Sequence, residues 1–283
     1  MIGTFINFDR WLEAVNLLKS QMNSRKHDRH FNSLSMFFYE RCNHLHTMVD
    51  KKEYFDSRIL NNMFYILENE FFALDYLKPK KGLEIRRYRF LSYSMRIIYY
   101  TIGLYIAEIT QDFLKDLKDM NPNIYSFYGG DIRYQDAKLV IKNETITYRK
   151  HYKKFRKMMR NEVNNSDDNT IVIRLDIKDF FDEIDIYIFL DKLDRYLKSN
   201  IKLKYNFNSL TIKEMELFFN FILNSGIPQC DNDVISSCIG NLYLKFADIY
   251  IAEEIEKTKD LIESFKIIRY VDDIYMYYKK TEY

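Results

Sequence analysis

Three carboxylates stand where strand-like segments stop. Thr170-Ile-Val-Ile-Arg-Leu-Asp176 is β-branched and ends on Asp176. A period of two puts Val172, Arg174 and Asp176 on one face and Ile171, Ile173 and Leu175 on the other. Near the C-terminus, Phe265-Lys-Ile-Ile-Arg-Tyr270 and Ile274-Tyr-Met-Tyr-Tyr278 are strand patterns, and Asp272 and Asp273 lie between them. That reads as a hairpin with two carboxylates at its turn. Mg²⁺ is a hard, oxygen-seeking cation commonly shared between a few carboxylates and substrate phosphates. Two such ions about 4 Å apart activate a hydroxyl and stabilise a leaving pyrophosphate. The chemistry these residues suit is therefore nucleotidyl transfer. Neighbouring Asp179, Asp182 and Glu183 need only be favourable charges at a helix start. Asp167-Asp168 falls in a polar loop.

Other segments carry weaker signals. Ser225-Gly-Ile-Pro-Gln-Cys230 holds a Gly and one of three prolines, and marks a tight loop before an apolar helical pattern from Val234 to about Glu256. Residues 149–160 contain Arg149, Lys150, Lys153, Lys154, Arg156, Lys157 and Arg160 with no acid. Such a helix is either a solvated face or a phosphate-contacting one. His27, His30, Cys42, His44 and His46 cluster in sequence, but within a helix only residues three or four apart share a face. Cys42, His44 and His46 therefore cannot converge from one helix, and no zinc site is expected.

These residues must be positioned by the elements around them. Segments near 8–22, 31–50, 54–77 and 84–119 have apolar residues at helical spacing. In the last, Leu91, Met95, Ile98, Ile102, Tyr105 and Ile109 form one stripe, which predicts a core-facing side. Lys78-Pro-Lys-Lys-Gly82 and Asn121-Pro-Asn123 are breaks. Lys138–Lys142 and Thr145–Tyr148 flank Asn143-Glu144 and predict a β-hairpin. The expected organisation is a helical region over 1–120, a hairpin with a basic helix over 121–165, and an α+β unit over 166–283. The last should have an antiparallel sheet of three or four strands, with helices 186–199, 211–223 and 233–256 on one face.

The order of the motifs is more specific than any one of them. Leu175-Asp-Ile-Lys-Asp-Phe-Phe181, Ser225–Gln229 with Gly240-Asn-Leu-Tyr-Leu-Lys-Phe-Ala-Asp248, and Arg269-Tyr-Val-Asp-Asp-Ile-Tyr-Met-Tyr-Tyr278 resemble the three central palm motifs of reverse transcriptases. The dialect is similar to bacterial retron and group II intron enzymes. The helical first half and the Tyr- and Lys-rich composition look closest to abortive-infection reverse transcriptases of phage defence. The resemblance covers residues 170–283 and, more loosely, 121–165.

It implies a right-hand polymerase fold of fingers and palm, with an antiparallel palm sheet and a largely helical N-terminal region. It also implies RNA-directed DNA synthesis from dNTPs with two Mg²⁺ ions, on RNA or DNA partners, with or without a template. By position, Asp176, Asp272 and Asp273 match the metal-binding aspartates, and the metal set includes the Ile177 position. Phe181 matches the aromatic gate that excludes a 2′-hydroxyl. Pro228 and Gln229 match the loop at the incoming nucleotide, and Tyr270 the tyrosine near the primer end. Lys138, Arg149 and Lys153 are the expected triphosphate contacts.

Two departures stand out. Cys230 replaces a usual glycine, and the sequence ends ten residues after Asp273, before the thumb such enzymes have. A missing C-terminal portion, a partner chain or a homo-oligomer would then supply the thumb. The alternative reading is a non-catalytic polymerase core that binds nucleic acid.

Composition sets the outer bounds. The chain has 283 residues, 47% of them hydrophobic and 30% charged, with seven Gly. That describes a globular protein and argues against glycine-loop nucleotide folds. Three cysteines without paired spacing, no signal-peptide pattern and no apolar run long enough to span a bilayer predict a cytoplasmic protein with no membrane partner. The net charge of +2 averages two unlike parts. Residues 1–165 hold 28 basic and 19 acidic side chains, whereas residues 166–283 hold 15 and 22. A basic part for phosphates and an acidic part for metal suit a polymerase.

Overall fold

A computed structural model describes residues 2–24, 48–79, 85–130, 132–135, 138–141, 147–222, 226–228, 233–258 and 260–281. The architecture is mixed α/β. Among the described residues no helix is long and apolar enough to cross a membrane. Cys42 and the four histidines between residues 27 and 46 lie outside the described set, as do Gln229 and Cys230.

The central element is a helix buried on all sides. After α1 (Phe8–Ser24) and the short α2 (Lys52–Tyr54), which continues into a π-helical turn over Phe55–Leu60, comes α3 (Tyr93–Ile109). Every residue of α3 except Glu108 is buried. A single apolar stripe was expected here. The structure corrects this: α1 packs on one side of α3, and α9 (Val234–Lys257) crosses another. A helix covered all round needs no polar face. Much of the Tyr and Phe excess is spent here, with Tyr54, Tyr93, Tyr99, Tyr100 and Tyr105 all buried in one core that also includes Phe189, Phe218 and Phe219. The same core joins the N-terminal helices to α4 (Gln111–Met120), α6 (Ile186–Tyr196), α7 (Ser199–Lys204) and α8 (Ser209–Ile222).

Two sequence expectations about strands are corrected. Residues 73–79 and 85–91 do not continue the helices. They form an antiparallel hairpin, β1 (Ala73–Pro79) with β2 (Ile85–Leu91), in register from Ala73↔Leu91 to Pro79↔Ile85. Tyr76 stacks on Tyr88 across it, at 5.5 Å between centroids. Aromatic cross-strand pairs and Pro79 favour strand over helix. Leu91 is therefore the end of a strand, not part of a helical stripe. The second correction concerns the expected hairpin around Asn143. The strand over Lys138–Ile141 exists as β5, but its partner is β4 (Ile132–Gln135), and Thr147 and Tyr148 begin helix α5 (Thr147–Asn165).

The main sheet has the order β3-β7-β8-β6: β3 (Ile124–Ser126), β7 (Ile262–Tyr270), β8 (Asp273–Lys280) and β6 (Thr170–Asp176). β6, β8 and β7 are antiparallel as expected. β3 adds a parallel edge beside β7, so the sheet is mixed and not purely antiparallel. The sheet is covered on both faces over β7 and β8. Ile251 and Ala252 of α9 lie against Ile267, Ile274 and Met276 on one. Phe155 and Met158 of α5 lie against Ile268, Tyr275 and Tyr277 on the other.

Candidate active site

Strand register brings two of the three carboxylates together. In the β6–β8 ladder the Cα of Asp176 pairs with that of Asp273, while Tyr270 pairs with Asp273 across the β7–β8 turn. Residues directly opposite in a ladder have Cβ atoms about 5 Å apart. The two-residue turn, Val271-Asp272, holds Val271 at a φ of 54°. A β-branched residue there is strained, at about 1–3 kcal/mol. The turn persists because β7 and β8 fix both its ends.

Charge at the turn is coupled. The Asp272 carboxyl is raised above its ordinary range, first by burial and then by the negative charges of Asp176 and Asp273, while Arg86 pulls it down. Asp176 is exposed, and Asp273 is half-buried with Arg174 at 3.7 Å. Three mutually repelling carboxylates with oxygen donors are the set a hard divalent cation suits. Among the described residues, no group of three or more His, Cys, Asp or Glu already stands in ligating geometry.

Asp176, Ile177 and Asp272 line a cavity of about 580 Å³ with Arg86, Arg87, Lys178 and Phe181. Phe181 is half-buried against Phe180, with ring centroids 5.1 Å apart, and Phe180 is buried. Gly240 of α9 allows this: a Cβ there would lie 3.0 Å from the Phe180 ring and 3.1 Å from the Phe181 ring. The loop before α9 is held against the same backbone. Gly226 has a φ of 72°, and the Ile227 amide donates to the Phe181 carbonyl at 2.8 Å. A Cβ on Gly226 would stand 2.3 Å from that oxygen, so only glycine fits. Pro228 is buried, and its carbonyl accepts from the Ser236 hydroxyl. Gln229 lies outside the described residues.

Two buried ion clusters brace the site. Asp233 caps α9 by accepting from the Ile235 and Ser236 amides, and also accepts from Arg96 and Tyr100 of α3, each at 2.8 Å. Below the turn, Arg269 of β7 and Lys245 of α9 both bond Asp248 at 2.9 Å. Burial works against the Asp248 charge, but Arg269 and Lys245 outweigh it and hold the carboxyl below its usual range. These pairs fix the angle between α9 and the β7–β8 turn.

The remaining sequence candidates fall elsewhere. Tyr270 is packed against its neighbours. Its hydroxyl donates to the Tyr148 carbonyl at 3.2 Å, and its ring stacks on Tyr128 at 6.0 Å. Lys138 lies on β5, and Arg149 and Lys153 lie on α5; none lines the cavity. The cations that do are Arg86, Arg87 and Lys178. The first two escape sequence reading because the spacing over residues 84–91 also fits a helix. The alternation in Ile85-Arg-Arg-Tyr-Arg-Phe-Leu91 after a Pro-Lys-Lys-Gly break was the available signal. Arg87 is anchored to Asp75 across the hairpin, with Arg89 on the same carboxylate at 2.9 Å. No protein-family model matches the chain, and no curated protein matches it.

Proposed function

We propose that the chain is the catalytic core of a reverse transcriptase that adds deoxynucleotides by two-metal nucleotidyl transfer, in the setting of phage defence. The observation that supports this most is the pairing of Asp176 with Asp273 across β6–β8, with Asp176 and Asp272 lining one cavity together with Arg86, Arg87 and Phe181. Asp176, Asp272 and Asp273 would hold two Mg²⁺ ions, with the Ile177 position beside them. The ions supply activation of the attacking 3′-hydroxyl and charge neutralisation at the leaving pyrophosphate. Arg86 and Arg87 offer the positive charge for a triphosphate, the role expected of Lys138, Arg149 and Lys153. Phe181, which lines the cavity, would pack against the sugar of a bound nucleotide. Phosphoryl transfer asks little more of a protein than position and charge.

The test is Mg²⁺-dependent dNTP incorporation with and without an RNA template. Asp272→Ala and Asp273→Ala are each expected to abolish it. Wild-type incorporation in either variant would remove this site from the reaction.

A further inference from the structure

We propose that Asp75 is a built-in counter-ion that an incoming triphosphate must displace from Arg87, and that it thereby weakens phosphate binding; this rests on the nucleotidyl-transfer reading. Asp75 lies on β1, and Arg87 and Arg89 lie on β2. The register sets Asp75 opposite Arg89, and Leu77 opposite Arg87. Side chains two apart share a face of a strand, so Asp75, Arg87 and Arg89 meet on one side of the hairpin. Arg89 reaches straight across and Arg87 reaches diagonally. The two arginines take different oxygens of the carboxylate. Arg89 Nη1 donates to Oδ1 at 2.9 Å, whereas Arg87 donates to Oδ2 from Nε at 3.0 Å and from Nη2 as well.

The two cations differ in what else they can reach. Arg89 has 17% of its side chain exposed, whereas Arg87 has 50%. Arg87 lines the cavity that holds Asp176 and Asp272, and Asp75 and Arg89 do not. The Arg87 guanidinium is held above its ordinary range by the hydrogen bond to Asp75, then by the Asp75 charge, and to a smaller extent by Asp182 on the cavity wall. The cation that would receive phosphate is therefore already neutralised from outside the cavity. Arg89 makes an exchange feasible. When Arg87 turns to a phosphate, Asp75 keeps Arg89 and is not left without a counter-charge.

A purely structural role fits the pair less well. Exposed ion pairs contribute little to stability. The hairpin is already held by its ladder from Ala73↔Leu91 to Pro79↔Ile85 and by Tyr76 stacked on Tyr88. Arg96 and Asp233 are locked by burial, whereas Asp75 and Arg87 are open to solvent, where a ligand can exchange with either. A guanidinium binds a phosphate through parallel N–H donors, as it binds a carboxylate. A triphosphate brings several such groups and more charge than one carboxylate, so it takes Arg87 from Asp75. The exchange is reversible. As pyrophosphate departs, Asp75 recovers Arg87, and the departing anion competes with a carboxylate that never left the hairpin. Asp75 is thus a positioning residue, acting on phosphate only through Arg87.

The experiment measures, by calorimetry in Mg²⁺, binding of the full chain to pyrophosphate and to α,β-methylene dATP, whose bridge blocks transfer. D75N is expected to bind each about fivefold tighter, the effect of removing one exposed charge-assisted pairing. Deoxyadenosine, which has no phosphate, should bind as it does to wild type. D75E keeps the charge and should stay near wild type. The gain from D75N should shrink in an R87Q background, where Asp75 has no cavity cation to withhold. A residue that merely oriented Arg87 toward the cavity would give the opposite sign, with weaker binding in D75N. If D75N does not fold by circular dichroism, D75S is read instead, with the same expectation. Unchanged or weaker phosphate binding in the variant, a gain undiminished by R87Q, or no phosphate binding by either chain would overturn the proposal. Binding of the analogue does not depend on turnover. Incorporation by wild type with unchanged binding in D75N counts against Asp75 alone; a D75N gain in a chain that never incorporates counts against the catalytic reading alone.

Discussion

At the scale of single residues, Asp272 carries a cost that function would explain. Its carboxyl is raised by burial and then by Asp176 and Asp273. A folded-state value above the unfolded one means that the ionised form costs stability. That cost is absent below the ordinary aspartate value of 3.8 and fully present once pH has passed the raised one. In metal-free buffer the protein therefore loses stability as pH rises through that window. Asp272→Asn is expected to raise Tm at neutral pH while abolishing incorporation, and the gain should close toward pH 3.8. A Tm difference independent of pH would show that the charge is not its origin. Phe181 gives a second residue-scale prediction. Because its ring lines the cavity and Phe180 fills the core, Phe181→Val should admit ribonucleotides with little loss of fold. Unchanged discrimination in a competition assay between dNTP and NTP would place the sugar elsewhere.

At the scale of elements, the brace between α3 and α9 is the part most open to a stability test. Arg96 and Asp233 are both fully buried and bonded at 2.8 Å. Removing one partner of such a pair leaves a buried charge without its counterion and costs about 3–5 kcal/mol. Asp233→Ala should lose that much in urea unfolding and loosen the Pro228 carbonyl, whose donor Ser236 is itself held by Asp233. A loss below about 1 kcal/mol would mean the pair is not braced as described. The elements also show what was legible beforehand. β6, β7 and β8 were read correctly because each alternates or is β-branched, and the carboxylates at their ends stood out against apolar neighbours. The hairpin β1–β2 was not, because its charged residues left too few apolar positions to separate a period of two from one near 3.6. Three-residue β3 has no pattern at all; it exists only because β7 offers an edge. α3 was assigned the right type but the wrong environment, since nothing in one helix says how many neighbours will cover it. Arg86 and Arg87 escape a helical reading for the same reason as the hairpin that carries them.

At the scale of the whole molecule, the unsettled surface is the β6 edge. All of Ile171, Val172, Ile173 and Leu175 are about 40% exposed, so the strand is open on both faces as well as along its hydrogen-bonding rim. A seven-residue edge with four exposed apolar residues and no proline is the pattern that invites pairing with another strand. Homotypic antiparallel pairing about Ile173 would set Ile171 against the Leu175 of a second copy and Val172 against its Arg174, so no like charges would oppose one another within the strand. The chain is therefore expected to self-associate as concentration rises. Ile173→Lys should suppress this by placing a charge at the centre of the edge, where two lysines would face each other. Its position is half-exposed on the face away from Asp176, so the register that pairs Asp176 with Asp273 is kept. Sedimentation velocity across a concentration series reads the outcome: a wild-type chain that stays monomeric, or a variant that associates as strongly, would show that the edge is not the contact.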